Sequence, residues 1–466
     1  MISRRAFLAR FIGLLLLGGA VLLSGCATRM NQDSEHTPIV FVHGNGDSAA
    51  LWQTTVWRFE SNGWPTAKLH AIDLPYPLAR EEDNREQPGR TSTAEHMAYL
   101  KAEVDAVLEH TGEAKVILVG NSRGGNAIRN YIQNGGGDET VSHAILGGTP
   151  NHGIWAVKGL RENSEFSGTG PFLTGLNTPK NSSGSEVTQQ VRWLTLRSDN
   201  NDKYAQPDGL WIGSRGTPTN VSYAGPELKG ATNVVLPGVD HRETAFSPAA
   251  FDAMYRFITG EAPRTLDIEP EERPILNGTI LGLGLRPEDP ASGNFVNNLP
   301  LAGATLQVFE VDPATVERIG AAVHEKTVGA DGRWGPYNSR QGASYEFVVA
   351  AEGYPINHIY RSPLPRSSYL IHLQVQRRVA VDNDARAIIT MTRPRGYLDA
   401  ARDKMSFGGI SPPPGLPATG AGISISKLKA TTDDVQTVVA EFNGERVVGR
   451  TWPASENRIV FLELTY

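Results

Sequence analysis

Cysteine is nearly absent from this chain of 466 residues, which has a single one, Cys26. One thiol excludes an internal disulfide, a cysteine-based zinc cluster and a CxxC redox pair. Basic residues are not in excess either, because 44 Lys and Arg stand against 50 Asp and Glu, for a formal net charge of −6. The sequence therefore lacks the electrostatic pattern of a nucleic-acid-binding protein, and we expect no DNA or RNA partner.

Long hydrophobic runs are also scarce. The apolar run at residues 11–23 is shorter than the ~20 residues that a permanent membrane span needs. It follows Arg4 and Arg5, and a charged segment followed by an apolar one is typical of an export signal. Ser3-Arg4-Arg5-Ala6-Phe7-Leu8 resembles a twin-arginine signal, and Leu23-Ser24-Gly25-Cys26 resembles a lipoprotein cleavage box. The alternative is an ordinary secretory signal with an incidental cysteine.

The lipoprotein interpretation predicts that the mature chain starts at Cys26. Residues 1–25 are then a signal peptide that is removed, Cys26 is acylated, and residues 26–36 form a tether to a membrane. By resemblance to lipoprotein sorting signals, Ala27 after the cysteine is compatible with the outer membrane or cell surface. The sequence thus predicts an exported, membrane-anchored lipoprotein.

Strand and helix patterns alternate over residues 37–261. Six short apolar runs have the composition of buried parallel strands. Helical spacing with end caps is found near residues 92–112 and 248–260, and a further helix is expected to follow the third strand, to about residue 133. This alternation predicts an α/β domain with a mostly parallel sheet flanked by helices. The predicted strands are residues 38–42, 67–74, 115–119, 142–146, 192–196 and 233–236.

Two other kinds of segment interrupt or follow this domain. Residues 153–190 are polar and glycine-rich with scattered aromatics, which indicates a lid, the alternative being an ordinary surface excursion. Residues 262–274 are acidic and contain proline, as expected of a linker. Short alternating runs then predict an antiparallel β-sandwich over residues 275–378 and a further β domain over residues 379–466.

One short motif points to covalent catalysis. Gly120-x-Ser122-x-Gly124 comes after an apolar strand and before a helix, which is the arrangement of a nucleophile elbow. Glycines permit the tight turn that exposes the serine hydroxyl. The first predicted strand ends in His43-Gly44-Asn45-Gly46. On these motifs, residues 37–260 resemble the α/β-hydrolase superfamily, in particular bacterial and archaeal lipases with a trailing β domain.

The resemblance implies a Ser, acid, His order along the chain, in which a histidine base activates Ser122 and a carboxylate orients the base. His241 is the only histidine between residues 153 and 323, and it follows the last predicted strand, where the family has its catalytic histidine. The acid is Asp202 or Asp199, both of which follow the strand at residues 192–196. Pro207 beyond Asp202 favours Asp202, and Asp240 is a weaker third candidate.

The resemblance also implies an oxyanion hole made by the backbone amides of Arg123 and Asn45. We interpret His43 and His152 as architectural. Asp73 precedes Ser122 and so breaks the family order of the triad.

These assignments predict a serine carboxylic ester hydrolase, favoured as a lipase of acylglycerols, whose partners are a lipid or ester substrate and a membrane through acylated Cys26. The alternatives are a short-chain esterase, an aliphatic polyester depolymerase, or a non-catalytic surface-binding lipoprotein. We expect no cofactor and no metal, because the sequence has no HExxH motif, EF-hand loop or cysteine cluster.

Overall fold

Six apolar segments of the first half pair into one parallel sheet in the computed structural model. The structure describes residues 36–199, 201–204, 206, 208, 216–418 and 422–466, so the predicted signal peptide, Cys26 and Pro207 lie outside the described residues. The sheet has the order β2-β1-β3-β4-β5-β6, and every pair in it is parallel. Its strands are β1 (Ile39–Val42), β2 (Leu69–Ile72), β3 (Val116–Asn121), β4 (Val141–Gly147), β5 (Arg192–Ser198) and β6 (Thr232–Leu236).

Helices cover both faces of this sheet. Successive side chains of a strand point to opposite faces, and in β1 Ile39 and Phe41 pack with one group of helices while Val40 and Val42 pack with the other. The helices are α1 (Gln53–Ser61), α2 (Thr93–Thr111), α3 (Arg123–Asn134), α4 (Gly137–Thr140), α5 (Pro171–Leu176), α6 (Glu243–Phe246) and α7 (Pro248–Thr259). Short 3₁₀ turns lie at Ala49–Trp52, Thr66–Lys68, Pro290–Ser292, Ala380–Asp382 and Ala454–Glu456.

The ends of the long helices follow local rules. The Ser92 hydroxyl accepts from the amide of Glu95, whose side chain accepts from the Ser92 amide, so that a capping box begins α2. Gly112 ends α2 with a φ of 69°, a left-handed conformation that glycine adopts without steric cost. Ser247 caps α7 by accepting from Ala250 N, with Pro248 as the first helical residue.

The second half consists of β structure. A seven-stranded sheet has the order β8-β7-β9-β10-β16-β11-β13, with parallel pairing only of β16 to β10 and β11. Strands β12, β14 and β15 form a separate antiparallel sheet. The bounds are β7 (Thr305–Val311), β8 (His324–Thr327), β9 (Ser344–Ala350), β10 (Ile356–Arg361), β11 (Ala387–Thr392), β12 (Met405–Phe407), β13 (Ile425–Ala430), β14 (Thr437–Phe442), β15 (Glu445–Arg450) and β16 (Arg458–Glu463).

Strands from both sides of residue 378 enter the seven-stranded sheet, because β10 pairs with β16 and β16 pairs with β11. The predicted boundary between residues 378 and 379 therefore falls between strands of one sheet. Shorter two-residue or three-residue strands lie at Leu78–Ala79, Arg90–Thr91, Ile275–Leu276, Ile280–Gly282, Gly284–Leu285, Asn294–Phe295, Tyr337–Asn338 and Leu373–Val375.

A tyrosine of the β region forms hydrogen bonds with the backbone of β2, the edge strand of the parallel sheet. The Tyr369 hydroxyl donates to Leu69 O at 2.7 Å and accepts from Ala71 N at 3.0 Å. These bonds satisfy backbone groups that an edge strand otherwise presents to solvent. In the described part of the chain, no helix combines the length and the apolar character that a membrane crossing requires.

Candidate active site

Ser122 lies on a sharp turn between β3 and α3. Its φ of 53° and ψ of −121° are unusual for a residue with a side chain and cost free energy. The flanking glycines permit the turn, since a Cβ on Gly124 would lie 2.5 Å from Val42 O and one on Gly120 would lie 2.8 Å from Gly125 N. The sequence around Ser122 therefore forms the strand-turn-helix geometry that a nucleophile elbow requires.

His241 and Asp202 come together although they are 39 positions apart in the chain. The distance from His241 Nδ1 to Asp202 Oδ2 is 2.8 Å, and both side chains are buried. The ring of Tyr204 packs on the imidazole with its centroid 4.4 Å away. The His241 carbonyl accepts from Asn121 Nδ2 at 3.1 Å, which ties the histidine loop to the residue before Ser122.

The other two candidate acids have different partners. Asp199 Oδ2 accepts from Gly238 N at 2.9 Å, and its Oδ1 accepts from Asn201 N at 3.0 Å. Asp240 lies beside His241 in sequence, but its Oδ2 is 3.0 Å from Arg393 Nη1. Of the three carboxylates, Asp202 is the one that contacts the imidazole of His241.

Ser122, Asp202 and His241 line one cavity of about 370 Å³. Within the described residues, no hydrogen bond joins the Ser122 hydroxyl to His241 Nε2. Such a bond is often long without substrate and tightens when a substrate is bound. The cavity volume lies within the range of small-molecule sites.

The two predicted oxyanion residues flank Ser122. Arg123 is the first residue of α3, where backbone amides have no partner within the helix. Asn45 lines the cavity, and its Oδ1 accepts from Ala79 N at 2.7 Å. It follows Gly44, on which a Cβ would lie only 3.0 Å from the Cβ of Ser122. The loop after β1 thus approaches the turn that carries Ser122.

His43 is buried beneath this loop. Its Nε2 accepts from Leu74 N at 3.1 Å and its Nδ1 lies 2.9 Å from Gly44 O. Burial lowers the pKa of His43, so the imidazole is held neutral. These contacts fix the loop that carries Asn45.

The remaining two polar residues considered from the sequence also have defined partners. His152 lines the cavity, and its Nε2 lies 3.1 Å from each carboxylate oxygen of Glu186. Asp73 Oδ2 lies 2.8 Å from His372 Nε2, in the β region. Asp73 therefore joins the two halves of the protein and does not contact His241.

Residues from the 153–190 segment and from the C-terminal β region complete the cavity wall. Ile154, Trp155 and Phe166 supply apolar surface, and the C-terminal region adds Tyr397 and Ser424. Sequence reasoning missed this C-terminal contribution. The residues that reach the cavity from there have no motif of their own, and only long-range packing brings them to it.

A metal centre is not evident in the residues that the structure describes. No group of three or more His, Cys, Asp or Glu side chains lies there in positions suited to hold an ion.

Two protein-family models match parts of this chain. Residues 36–162 match the family described as lipase (class 2), and residues 276–378 match the lipase C-terminal domain. These matches confirm the predicted resemblance to α/β-hydrolase lipases. The parallel sheet with flanking helices, followed by β structure, confirms the predicted fold class.

The individual proteins that resemble this chain have low sequence identity to it. A non-heme haloperoxidase of Rhodococcus erythropolis is 26% identical over 176 residues, which cover 33% of this chain and 57% of that protein. The lipase BlEst2 of Bacillus licheniformis in mature form has 21% identity, covers 48% of this chain and 95% of its own, and gives a TM-score of 0.34. Lipase B of Aspergillus fumigatus has 14% identity, 50% and 54% coverage, and a TM-score of 0.34. This chain thus spans just over half the length of the haloperoxidase and of the fungal lipase.

Proposed function

We propose that this protein is a serine carboxylic ester hydrolase, and specifically a lipase that cleaves acylglycerols through an acyl-enzyme intermediate. The proposal rests on one observation above others. A buried His241–Asp202 pair with a 2.8 Å contact lines the same cavity as Ser122, which is on a strained strand-to-helix turn.

The reaction that we propose has two halves. The Ser122 hydroxyl oxygen attacks the ester carbonyl while His241 Nε2 takes the hydroxyl proton. Asp202 holds the proton on Nδ1 and stabilises the imidazolium that forms. His241 then gives the proton to the leaving alcohol, and a water molecule, activated by the same imidazole, releases the carboxylic acid from Ser122.

The negative charge that develops on the carbonyl oxygen needs fixed donors. In this proposal the amides of Arg123 and Asn45 supply them, because neither has to reorganise when the charge appears. Loss of one such donor in other hydrolases costs about 3–4 kcal/mol of transition-state stabilisation. The hydrogen bonds from Leu74 N to His43 and from Ala79 N to Asn45 hold the loop that carries this amide. They therefore help to position the proposed oxyanion hole.

The acylglycerol assignment draws on the matched lipase families and on the apolar wall of Trp155, Phe166 and Ile154. A short-chain esterase or an aliphatic polyester depolymerase uses the same three side chains. Rates on emulsified long-chain triacylglycerol and on a soluble butyrate ester distinguish them. Equal or lower rates on the emulsion would rule against the lipase.

Ser122→Ala is the control for every rate. We expect it to lose hydrolysis and to lose covalent labelling by a fluorophosphonate, which reacts with activated serines. Failure of the folded wild-type protein to form the adduct would make the hydrolase domain a non-catalytic scaffold.

For location, we propose export by a twin-arginine signal and anchoring by acylated Cys26, at the outer membrane or cell surface. The support is the sequence of residues 3–8 and 23–26. In cells fed labelled palmitate, the wild-type chain should incorporate the label and Cys26→Ala should not. Equal labelling of the two chains would contradict the proposal.

A further inference from the structure

Lys203, the residue after Asp202, lines the same cavity, and its ammonium group lies beside three other lining residues. Its Nζ lies 4.5 Å from the ring centroid of Tyr204 and 4.8 Å from that of Tyr397. Its one hydrogen bond within the described residues is to the carbonyl oxygen of Gly422, at 3.3 Å. An ammonium has three N–H donors, so two of them have no acceptor among the described residues.

The cavity carries a positive charge that no carboxylate of its lining balances. Its charged lining is three cations, Arg197, Lys203 and Arg242, and two anions, Asp47 and Asp202. Arg242 pairs with Asp47, and Asp202 contacts His241. The chain as a whole is acidic, with a net charge of −6. A cleft of opposite sign to its protein concentrates anionic ligands.

Arg197 and Lys203 form no salt bridge among the described residues, but Arg197 feels the charge of Glu227. The Arg197 guanidinium donates to backbone carbonyl oxygens, the shortest contact being 2.9 Å to Gly225. Lys203 has no ion pair in the described part of the chain. The undescribed residues within 200–215 and 419–421 include no Asp or Glu.

The position of Lys203 is set before any substrate binds. A Cβ on Gly422 would lie 1.8 Å from Lys203 Cδ, so only glycine leaves room for this stem. Gly422 also has a φ of 55°, which glycine adopts readily. Because the two tyrosine rings and Gly422 already restrict the side chain, a ligand that binds it loses little further rotamer entropy.

We propose that Lys203 recognises a carboxylate carried by the ester substrate, so that carboxylate-bearing esters are preferred to neutral ones. This inference rests on the proposed function, because it assigns a substrate class to the Ser122 site. One ammonium with two donors that no described residue occupies suits a singly charged carboxylate. Phosphate groups carry more charge and three acceptor oxygens, and they match clusters of donors better.

The test compares two esters that differ only in charge. The p-nitrophenyl monoester of glutaric acid carries a free carboxylate, and its methyl ester is neutral. The measured quantity is the ratio of kcat/KM for the charged ester to that for the neutral one, so a general loss of folded enzyme cancels. We expect Lys203→Met to lower this ratio about tenfold, the size of one hydrogen bond to a charged group.

Two variants serve as controls. Lys203→Arg keeps a cation and should retain most of the preference, whereas Lys158→Met removes an exposed lysine that does not line the cavity and should leave the ratio unchanged. Added NaCl should lower the ratio of the wild type and have less effect on Lys203→Met, because ions screen a partly exposed charge.

An unchanged ratio in Lys203→Met, or an equal fall in Lys158→Met, would overturn the assignment. Lys203→Met could instead lower kcat/KM for the p-nitrophenyl ester of 4-phosphonobutyrate and leave that for the glutarate monoester unchanged. The ligand of Lys203 would then be a phosphonate or phosphate group, and the carboxylate assignment would be wrong. If the wild type hydrolyses neither glutarate ester and a fluorophosphonate does not label Ser122, the proposed function itself is wrong.

Discussion

Arg393 of the C-terminal β region lies with its Nη1 3.0 Å from Oδ2 of Asp240, the residue before His241. Both side chains are 4% exposed. The same Asp240 oxygen accepts from Tyr397 N at 2.8 Å, and Arg393 Nη2 is 2.7 Å from Glu243. Buried charges therefore hold the loop of His241 to the β region, in addition to its attachment to the parallel sheet.

We expect Arg393→Met to be strongly destabilising. It removes the nearer of two cations from the buried Asp240 carboxylate, because Arg402 Nη2 lies farther away, at 3.8 Å. Breaking a buried ion pair typically costs about 3–5 kcal/mol of the free energy of unfolding, and Arg402 offsets part of that cost. Urea denaturation measures this loss. Arg386→Met is the matched control, because Arg386 is 62% exposed and 3.7 Å from Asp433, and exposed pairs contribute about 0–1 kcal/mol. Equal effects of the two variants would contradict a clamping role for Arg393.

The choice between the two acids after β5 gives a second prediction. Asp202→Asn should lower kcat for p-nitrophenyl butyrate by about 10³–10⁴-fold, because the amide no longer fixes the tautomer of His241. Asp199→Asn should stay within a few-fold of the wild type, since Asp199 contacts the amides of Gly238 and Asn201. The reverse order of effects would show that the acid is Asp199.

The parallel sheet and its capped helices were predictable because each is encoded locally. Ser92 with Glu95, Ser247 with Pro248, and the terminal glycines of α2 and α7 signal helix ends in the sequence itself. Helix α1 was not predicted. Eight of its nine residues are buried, but five of those eight are polar, so the sequence lacks the apolar stripe from which an amphipathic helix is recognised.

The candidate site was predictable only in part. The glycines on either side of Ser122 indicate its turn in the sequence. The contact of His241 with Asp202 agrees with the order serine, acid, histidine that the resemblance implied. Tyr397, Ser424 and Arg393 reach the site from positions more than 150 residues beyond His241. Contacts over such separations depend on how the β region packs, and no local pattern encodes that.

A third prediction concerns acid stability. Burial alone would raise the pKa of Glu346, but hydrogen bonds from His358 and Arg318 outweigh it and lower the pKa to about 2. Because the folded-state pKa lies below the unfolded value, ionised Glu346 stabilises the fold above about pH 4.5. This contribution is lost as the pH falls toward about 2.

Glu346→Gln should therefore reduce the pH dependence of unfolding between these limits by up to one proton. The measurement is the free energy of unfolding in urea at a series of acidic pH values. Glu352→Gln changes an exposed glutamate and should leave the slope as in the wild type. A wild-type slope in Glu346→Gln would show that the carboxyl titrates normally in the fold.

The fourth prediction concerns Glu165, which ties the 153–190 segment to the residue after Ser122. Its two carboxylate oxygens each lie 2.9 Å from a guanidinium nitrogen of Arg123, and the side chains are 3% and 1% exposed. Arg123 also donates to Thr91 O at 2.7 Å. If this stretch moves as a lid, the part around Glu165 has to remain in place or break a buried bidentate pair.

We expect Glu165→Met to lower the free energy of unfolding by about 3–5 kcal/mol, because Arg123 is left as an uncompensated buried charge. The double variant Arg123→Met/Glu165→Met should recover much of that loss, since replacing both members of a buried pair with apolar groups is often neutral. The recovery of stability will be incomplete, because the Thr91 carbonyl oxygen loses the hydrogen bond from Arg123. Additive effects of the two substitutions would mean that the charges do not interact, and the segment around Glu165 would then be free to move independently of α3.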